Sequence, residues 1–212
     1  MENNLSMTYK TEQEAFWAGN FGDSYIARNS DQMLLASNLA LFSKILARTQ
    51  SIKTVLELGA NVGLNLRAIQ SLVPNAEMSA VEINAKAVEQ LQAIGDVNIF
   101  HGSILDFKPT ETYDLVFTKG VLIHINPEFL PAVYQAMYKA SDRYILIAEY
   151  YNPSPVEVSY RGFGEKLFKR DFAGEMLDSY PDLSLIDYGF AYRRDSHFPQ
   201  DDTNWFLLEK TS

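Results

Sequence analysis

Apolar positions along this chain alternate between two rhythms. Thr54 to Leu58 (TVLEL) cluster apolar residues as a short buried strand does, and Leu64, Leu66, Ile69 and Leu72 then recur at helical spacing. The alternation repeats. Glu77 to Ile83 predicts a second strand, Asn84 to Ile94 a helix capped by Asn84, Val97 to His101 a third strand and Tyr113 to Thr118 a fourth. Asn126-Pro127-Glu128 predicts a helix start, with Asn126 as cap and Pro127 at the first position, and Arg143 to Glu149 a fifth strand. A loop rich in Tyr, Pro and Ser follows from Tyr150 to Ser159, then a helix containing Asp171 to Tyr180. Leu183 to Phe190 and Trp205 to Lys210 close the chain as an antiparallel pair, because the segment between them is too short for a crossover helix. Upstream, Thr11 to Trp17 reads as a short helix with Thr11 and Glu14 at capping-box spacing and Gly19-Asn20 ending it, and Asp31 to Arg48 as a longer one. Repeated strand and helix imply a mainly parallel α/β sheet with helices on both faces.

The first strand runs directly into Gly59, Asn61 and Gly63. Glycine and asparagine tolerate positive φ, so this turn brings bare backbone against a ligand, and a Cβ at Gly59 is expected to intrude on ligand space. The dinucleotide fingerprint requires a further glycine where this chain has Leu64. Glu82 lies at the end of the second strand, 19 residues beyond Gly63. In nucleoside-binding α/β folds an acid at that place accepts hydrogen bonds from ribose hydroxyls.

Composition narrows the classes. The 212 residues suit one large domain or a domain with an attached subdomain, and 47% hydrophobic content supplies a continuous core. No apolar run has the length of a membrane span and the N-terminus lacks a signal-peptide pattern, so a soluble, cytoplasmic protein without membrane partners is expected. The absence of cysteine excludes disulfides and thiolate chemistry, and a formal charge of −9 disfavours a nucleic-acid surface. No metal site is expected. Asp201-Asp202 are a poor carboxylate cluster for one.

Glu57-Leu58-Gly59-Ala60-Asn61-Val62-Gly63 resembles the first motif of class I S-adenosylmethionine-dependent methyltransferases, with Asn61 replacing the middle glycine. The resemblance covers Ile52 to about Lys210. It implies a Rossmann-like fold with a seven-stranded mainly parallel sheet and antiparallel last strand, an N-terminal helical cap or lid over residues 1–50, and a cofactor-binding domain over 51–212. S-adenosylmethionine is the implied cofactor and S-adenosylhomocysteine the product. Glu57, Gly59, Asn61, Gly63 and Glu82 are the implied cofactor contacts, with Ser103 and Ile104 facing adenine, Thr118, Lys119 and Gly120 after strand four, and Tyr25 and Arg28 from the lid. Glu14 to Asn29, with Leu56 to Gly63 and Lys119 to Asn126, resembles the smaller methyltransferases associated with pseudaminic and other nonulosonic acid biosynthesis. That points to a small anionic sugar or sugar nucleotide as acceptor, methylated on oxygen or nitrogen.

Sulfonium methyl transfer is an in-line displacement with a neutral leaving group, so alignment supplies much of the catalysis. A protonated acceptor still needs a base. His124 is the favoured candidate and Glu149 the competing one, the alternatives being a loop-anchoring histidine and a paired carboxylate. Tyr150, Tyr151, Asn152, Arg161, Arg193 and Arg194 are the candidate acceptor contacts, aromatic walls for a sugar and cations for its anionic group. Amino-methyltransferases of nucleobases resemble one another in an Asn/Asp-Pro-Pro-aromatic motif where this chain has Thr118-Lys119-Gly120-Val121. Three further readings stand beside the favoured one: a small-molecule amine or carboxylate methyltransferase, a nicotinamide oxidoreductase, and a catalytically silent cofactor-binding partner. Oligomeric state is not legible.

Overall fold

A computed structural model describes residues 9–26 and 32–211. Its elements are α1 (Glu12–Ala18), α2 (Asn20–Ile26), α3 (Gln32–Leu46), β1 (Thr54–Leu58), α4 (Leu64–Leu72), β2 (Glu77–Glu82), α5 (Ala85–Gln92), β3 (Val97–His101), β4 (Tyr113–Lys119), α6 (Leu130–Ala140), β5 (Ser141–Glu149), β6 (Val156–Glu157), β7 (Phe168–Lys169), α7 (Phe172–Ser179), β8 (Leu183–Ala191) and β9 (Thr203–Lys210). Seven strands form one sheet in the order β3-β2-β1-β4-β5-β9-β8. Pairing from β3 through β5 is parallel, whereas β9 is antiparallel to both β5 and β8. The expected terminal pair is present, and its second strand is inserted beside β5.

Alternate residues of the central strands face two apolar layers. Val55, Met78, Leu115 and Leu146 pack with Phe42 and Ile45 of α3 and Leu66 and Ile69 of α4. Leu56, Val81, Val116 and Ile145 pack on the other face with Val133 and Met137 of α6 and Phe172 and Met176 of α7. Phe42 and Ile45 are fully buried, so α3 is a layer of the fold itself, although it precedes the expected boundary at residue 50. Truncating Phe42 to alanine should cost roughly 3 to 5 kcal/mol.

Three local expectations are revised. Gly19 caps α1, but Asn20, expected to end that helix with it, already begins the next one. The Tyr150–Ser159 loop contains β6, which pairs with β7. Asn126 and Pro127 open a 3-10 turn, Pro127–Phe129, and the α-helix starts only at Leu130. Other signals hold: Thr11 and Glu14 form a reciprocal capping box, and Asn84 Oδ1 accepts from the Ala87 N–H at 3.1 Å.

Candidate functional site

All parallel strands end on one rim, above which lies a cavity of about 360 Å³. That volume suits a cofactor or small ligand. The turn after β1 forms its floor. Gly59, Asn61 and Gly63 have φ values of 78°, 48° and 76°, so asparagine takes a conformation that few other side chains tolerate. The turn is tied to β2 by Gly59 N–H donating to the Val81 carbonyl at 2.8 Å and Asn61 N–H donating to Glu82 Oε2 at 2.7 Å. Gly59 also makes room for the loop after β4, since an added Cβ would meet Val121 Cγ2 at 2.6 Å.

Glu82 lines the cavity and is buried. Its Oε1 accepts from the Asn84 N–H at 2.7 Å, while Oε2 holds the Asn61 N–H. Burial pushes this carboxyl upward, opposed by the amides of Asn84, Asn61 and Ile83. Each oxygen retains acceptor capacity for a ligand hydroxyl. Glu57 lies below the floor and does not line the cavity. Its Oε1 accepts from Asn65 Nδ2 at 2.6 Å, and Oε2 has no partner among the described residues. Burial pushes it up to about 8, against the lowering influence of Asn65 and Lys119. Asn65 does reach the cavity and couples Glu57 to it.

At the β3 end Ser103 and Ile104 line the wall. Ser103 Oγ donates to Glu14 of α1 and accepts from the Leu105 N–H at 3.0 Å. The covering helices are held by α5: Asn84 Nδ2 donates to the Trp17 carbonyl at 3.2 Å and to Asp23 Oδ1 at 3.0 Å, and Lys86 pairs with Asp23 at 2.5 Å. Gly22 permits this approach, since a Cβ there would fall 1.9 Å from the Trp17 carbonyl oxygen. Tyr25 lines the cavity. Arg28 lies outside the described residues.

Lys119, Gly120, Val121 and His124 form the wall after β4. Burial lowers the Lys119 ammonium, opposed by the charges of Glu57, Asp201 and Glu149. His124 ends a 3-10 turn, Leu122–His124, and is buried between Trp17 and Tyr160, whose ring centroids lie 4.6 and 4.9 Å away. Its Nδ1 sits 2.5 Å from the Lys166 carbonyl oxygen. A carbonyl only accepts, so Nδ1 carries the proton and Nε2 keeps a free lone pair. Burial pushes the imidazole down to about 4, against the raising effect of that carbonyl.

Glu149 is displaced from the expected role of competing base. It does not line the cavity; its carboxylate accepts from the amides of Val121 at 3.0 Å, Leu122 at 3.1 Å and Ile123 at 3.4 Å. Burial raises it to about 7 and those amides oppose the rise. A carboxylate so surrounded anchors the turn that carries His124. Thr118 is likewise buried in β4 without lining the cavity.

Among the expected acceptor contacts only Arg193 lines the cavity, its Nε 3.3 Å from Asp202 Oδ2. Tyr150, Tyr151, Asn152, Arg161 and Arg194 do not. After β5 the chain runs away from the rim toward β6: Tyr151 packs on Phe206 at 5.9 Å, and Asn152 Nδ2 donates to the Ser154 carbonyl at 2.6 Å. Arg161 lies over the Tyr160 ring at 5.7 Å. The cavity is lined instead by residues that the sequence did not mark as ligand contacts: Glu14, Trp17, Asn38, Asn65, Gln200 and Asp201. Gln200 Nε2 donates to Asn38 Oδ1 at 3.0 Å, and both side chains are buried. A lone asparagine on the inward face of apolar α3 was the available signal.

Residues 55–142, from β1 to the start of β5, match the family model described as a methyltransferase domain. No curated protein matches the chain. The plantazolicin methyltransferase BpumL in complex with S-adenosylhomocysteine superposes with a TM-score of 0.65 at 12% identity, covering 94% of each chain. Magnesium protoporphyrin IX methyltransferase (ChlM) from Synechocystis, with the same ligand bound, gives 0.66 at 13% identity, covering 93% of this chain and 97% of that one. The mitomycin 7-O-methyltransferase MmcR gives 0.66 at 14% identity over 94% of this chain and 61% of its own. At such identities these structures establish a shared fold. The fold is thus the Rossmann-like one shared with these methyltransferases, and residues 55–142 within it match a methyltransferase domain. Among the described residues no helix is long and apolar enough to cross a membrane.

Proposed function

We propose that the chain transfers the methyl group of S-adenosylmethionine to an oxygen or nitrogen of a small anionic acceptor, a sugar acid of the nonulosonic type or its nucleotide conjugate. The observation that carries this reading is the His124–Lys166 contact, which leaves a neutral imidazole with a free Nε2 in a cavity that also holds Lys119 and Arg193. The two cations suit a carboxylate or phosphate on the acceptor. The sugar itself rests on the resemblance of residues 14–29, 56–63 and 119–126 to methyltransferases of nonulosonic acid pathways.

In this reading Glu82 receives the ribose hydroxyls and the glycine turn the body of the cofactor. Bound there, the cofactor supplies an electrophilic methyl carbon on a sulfonium. His124 Nε2 takes the acceptor's proton, Lys119 and Arg193 hold its anionic group, and α1 and α2 exclude water as a lid over the cavity. Single-turnover methylation across anionic sugars, small amines and short oligonucleotides tests the proposal. Mass gain on a sugar acid is the expected outcome; preference for amines or oligonucleotides overturns the acceptor class.

A further inference from the structure

Glu14 is a buried carboxylate far in sequence from the glycine turn, Glu82 and Ser103, and it lines the cavity. Its Oε2 is saturated: it accepts from the Lys10 N–H at 2.5 Å and the Thr11 N–H at 2.8 Å. Oε1 accepts only from Ser103 Oγ among the described residues and so keeps a lone pair. Among the described residues no cation pairs with the carboxylate there; the nearby Lys10 ammonium pairs with Asp106 at 2.5 Å. A buried acceptor of this kind on a cavity wall calls for a donor from the ligand.

Sheet order says which part of the ligand that is. The glycine turn follows β1, Glu82 ends β2 and Ser103 follows β3, in the spatial order β3-β2-β1. With ribose at Glu82, one of its substituents runs toward β1 and β4 and the other toward β3. The sulfonium must reach the side where His124 stands, so the base goes to the wall where Glu14 and Ser103 meet. Adenine presents there an exocyclic amine, a donor for a carboxylate. Ser103 is a poorer reader, because its one proton is committed to Glu14 and its oxygen already accepts from Leu105.

We propose that Glu14, a residue of the covering helix, reads the 6-amino group of the cofactor's adenine and thereby makes cofactor identity a condition of cap docking. The proposal rests on S-adenosylmethionine as cofactor and on ribose at Glu82. The test is calorimetry with S-adenosylhomocysteine and its hypoxanthine counterpart, in which a carbonyl acceptor replaces the amine. Wild type should prefer the adenine form by at least about tenfold, as expected for one hydrogen bond to a charged group. Glutamine suits the third position of a capping box as well as glutamate does, so Glu14→Gln should fold normally, as thermal melting will show, while aiming an amide N–H at the base. Discrimination should then vanish or invert, and Ser103→Ala should leave it in place. Unchanged discrimination in Glu14→Gln, or its loss only in Ser103→Ala, overturns the assignment to Glu14. Failure of wild type to bind S-adenosylhomocysteine at all overturns the cofactor assignment as well, which the first titration shows separately.

Discussion

His124 Nδ1 lies 2.5 Å from the carbonyl oxygen of Lys166, 42 residues further along the chain, and that contact decides which ring nitrogen is available for chemistry. If Nε2 removes the acceptor's proton, His124→Ala should lower kcat by about 10² to 10⁴ with little change in cofactor affinity. Single-turnover kinetics together with S-adenosylhomocysteine calorimetry check this. Full activity in the variant would return His124 to a purely structural role.

The same burial sets a pH dependence. His124 is held at about 4, below its ordinary value of 6.5, so the folded imidazole stays neutral while an unfolded one takes up a proton as pH falls. Between those values the unfolded state binds more protons and stability rises with pH; the contribution is lost as pH falls through that window, up to roughly 3 kcal/mol. A His124→Gln variant should lack this part of the slope in denaturant melts. The imidazole proton resonance should titrate near pH 4, and a midpoint near 6.5 would contradict the buried neutral ring.

Gly59 and Val121 form a second testable pair. Positive φ alone disfavours alanine at Gly59 by about 1 kcal/mol, and the Val121 contact adds overpacking of about 1 to 3 kcal/mol. Gly59→Ala should therefore be clearly destabilised, and adding Val121→Ala should recover the overpacking part while leaving the backbone part. Additive losses in the double variant, measured by urea unfolding, would show that the two sites do not touch.

Removing Glu82 tests the ribose site. Loss of a charge-assisted bond costs about 1.5 to 3 kcal/mol, so Glu82→Ala should weaken S-adenosylhomocysteine binding by roughly ten- to hundredfold. A 2′-deoxy analogue should lose much less additional affinity in the variant than in wild type. Equal losses in both would place the ribose elsewhere, and a large fall in Tm would trace instead to the freed amides of Asn61 and Asn84.

The covering helices give the last prediction. They are held to α5 by Asn84 and by the Lys86–Asp23 pair. If they form a lid, cofactor should slow amide exchange across α1 and α2, residues 12–26. Asn84→Ala should speed it in the free protein. Identical exchange with and without cofactor would leave α1 and α2 as fixed packing.

Much of the framework was legible because local pattern and chain direction determine it. Strand–turn–helix periodicity located β1, α4, β2, α5 and β3 closely, and the parallel order puts the glycine turn, Glu82 and Ser103 on one rim for any sequence that alternates in this way. Thr11, Asn84 and Asn126 announced their caps through side-chain chemistry that acts within three residues. What pattern could not decide was every relationship across long separations. Glu149 and His124 both looked like bases at strand ends; only the tertiary path, which turns three amides toward Glu149 and a carbonyl toward His124, separated an anchor from an available imidazole. Tyr150 to Asn152 were expected at the cavity, and the departure of the chain toward β6 removed them. Glu14 read as a helix-capping residue, and its second contact, with Ser103 across 89 residues, exists only once α1 folds over the end of β3. A capping box is encoded within one turn of helix, whereas a cavity wall is assembled from segments whose sequences carry no record of one another.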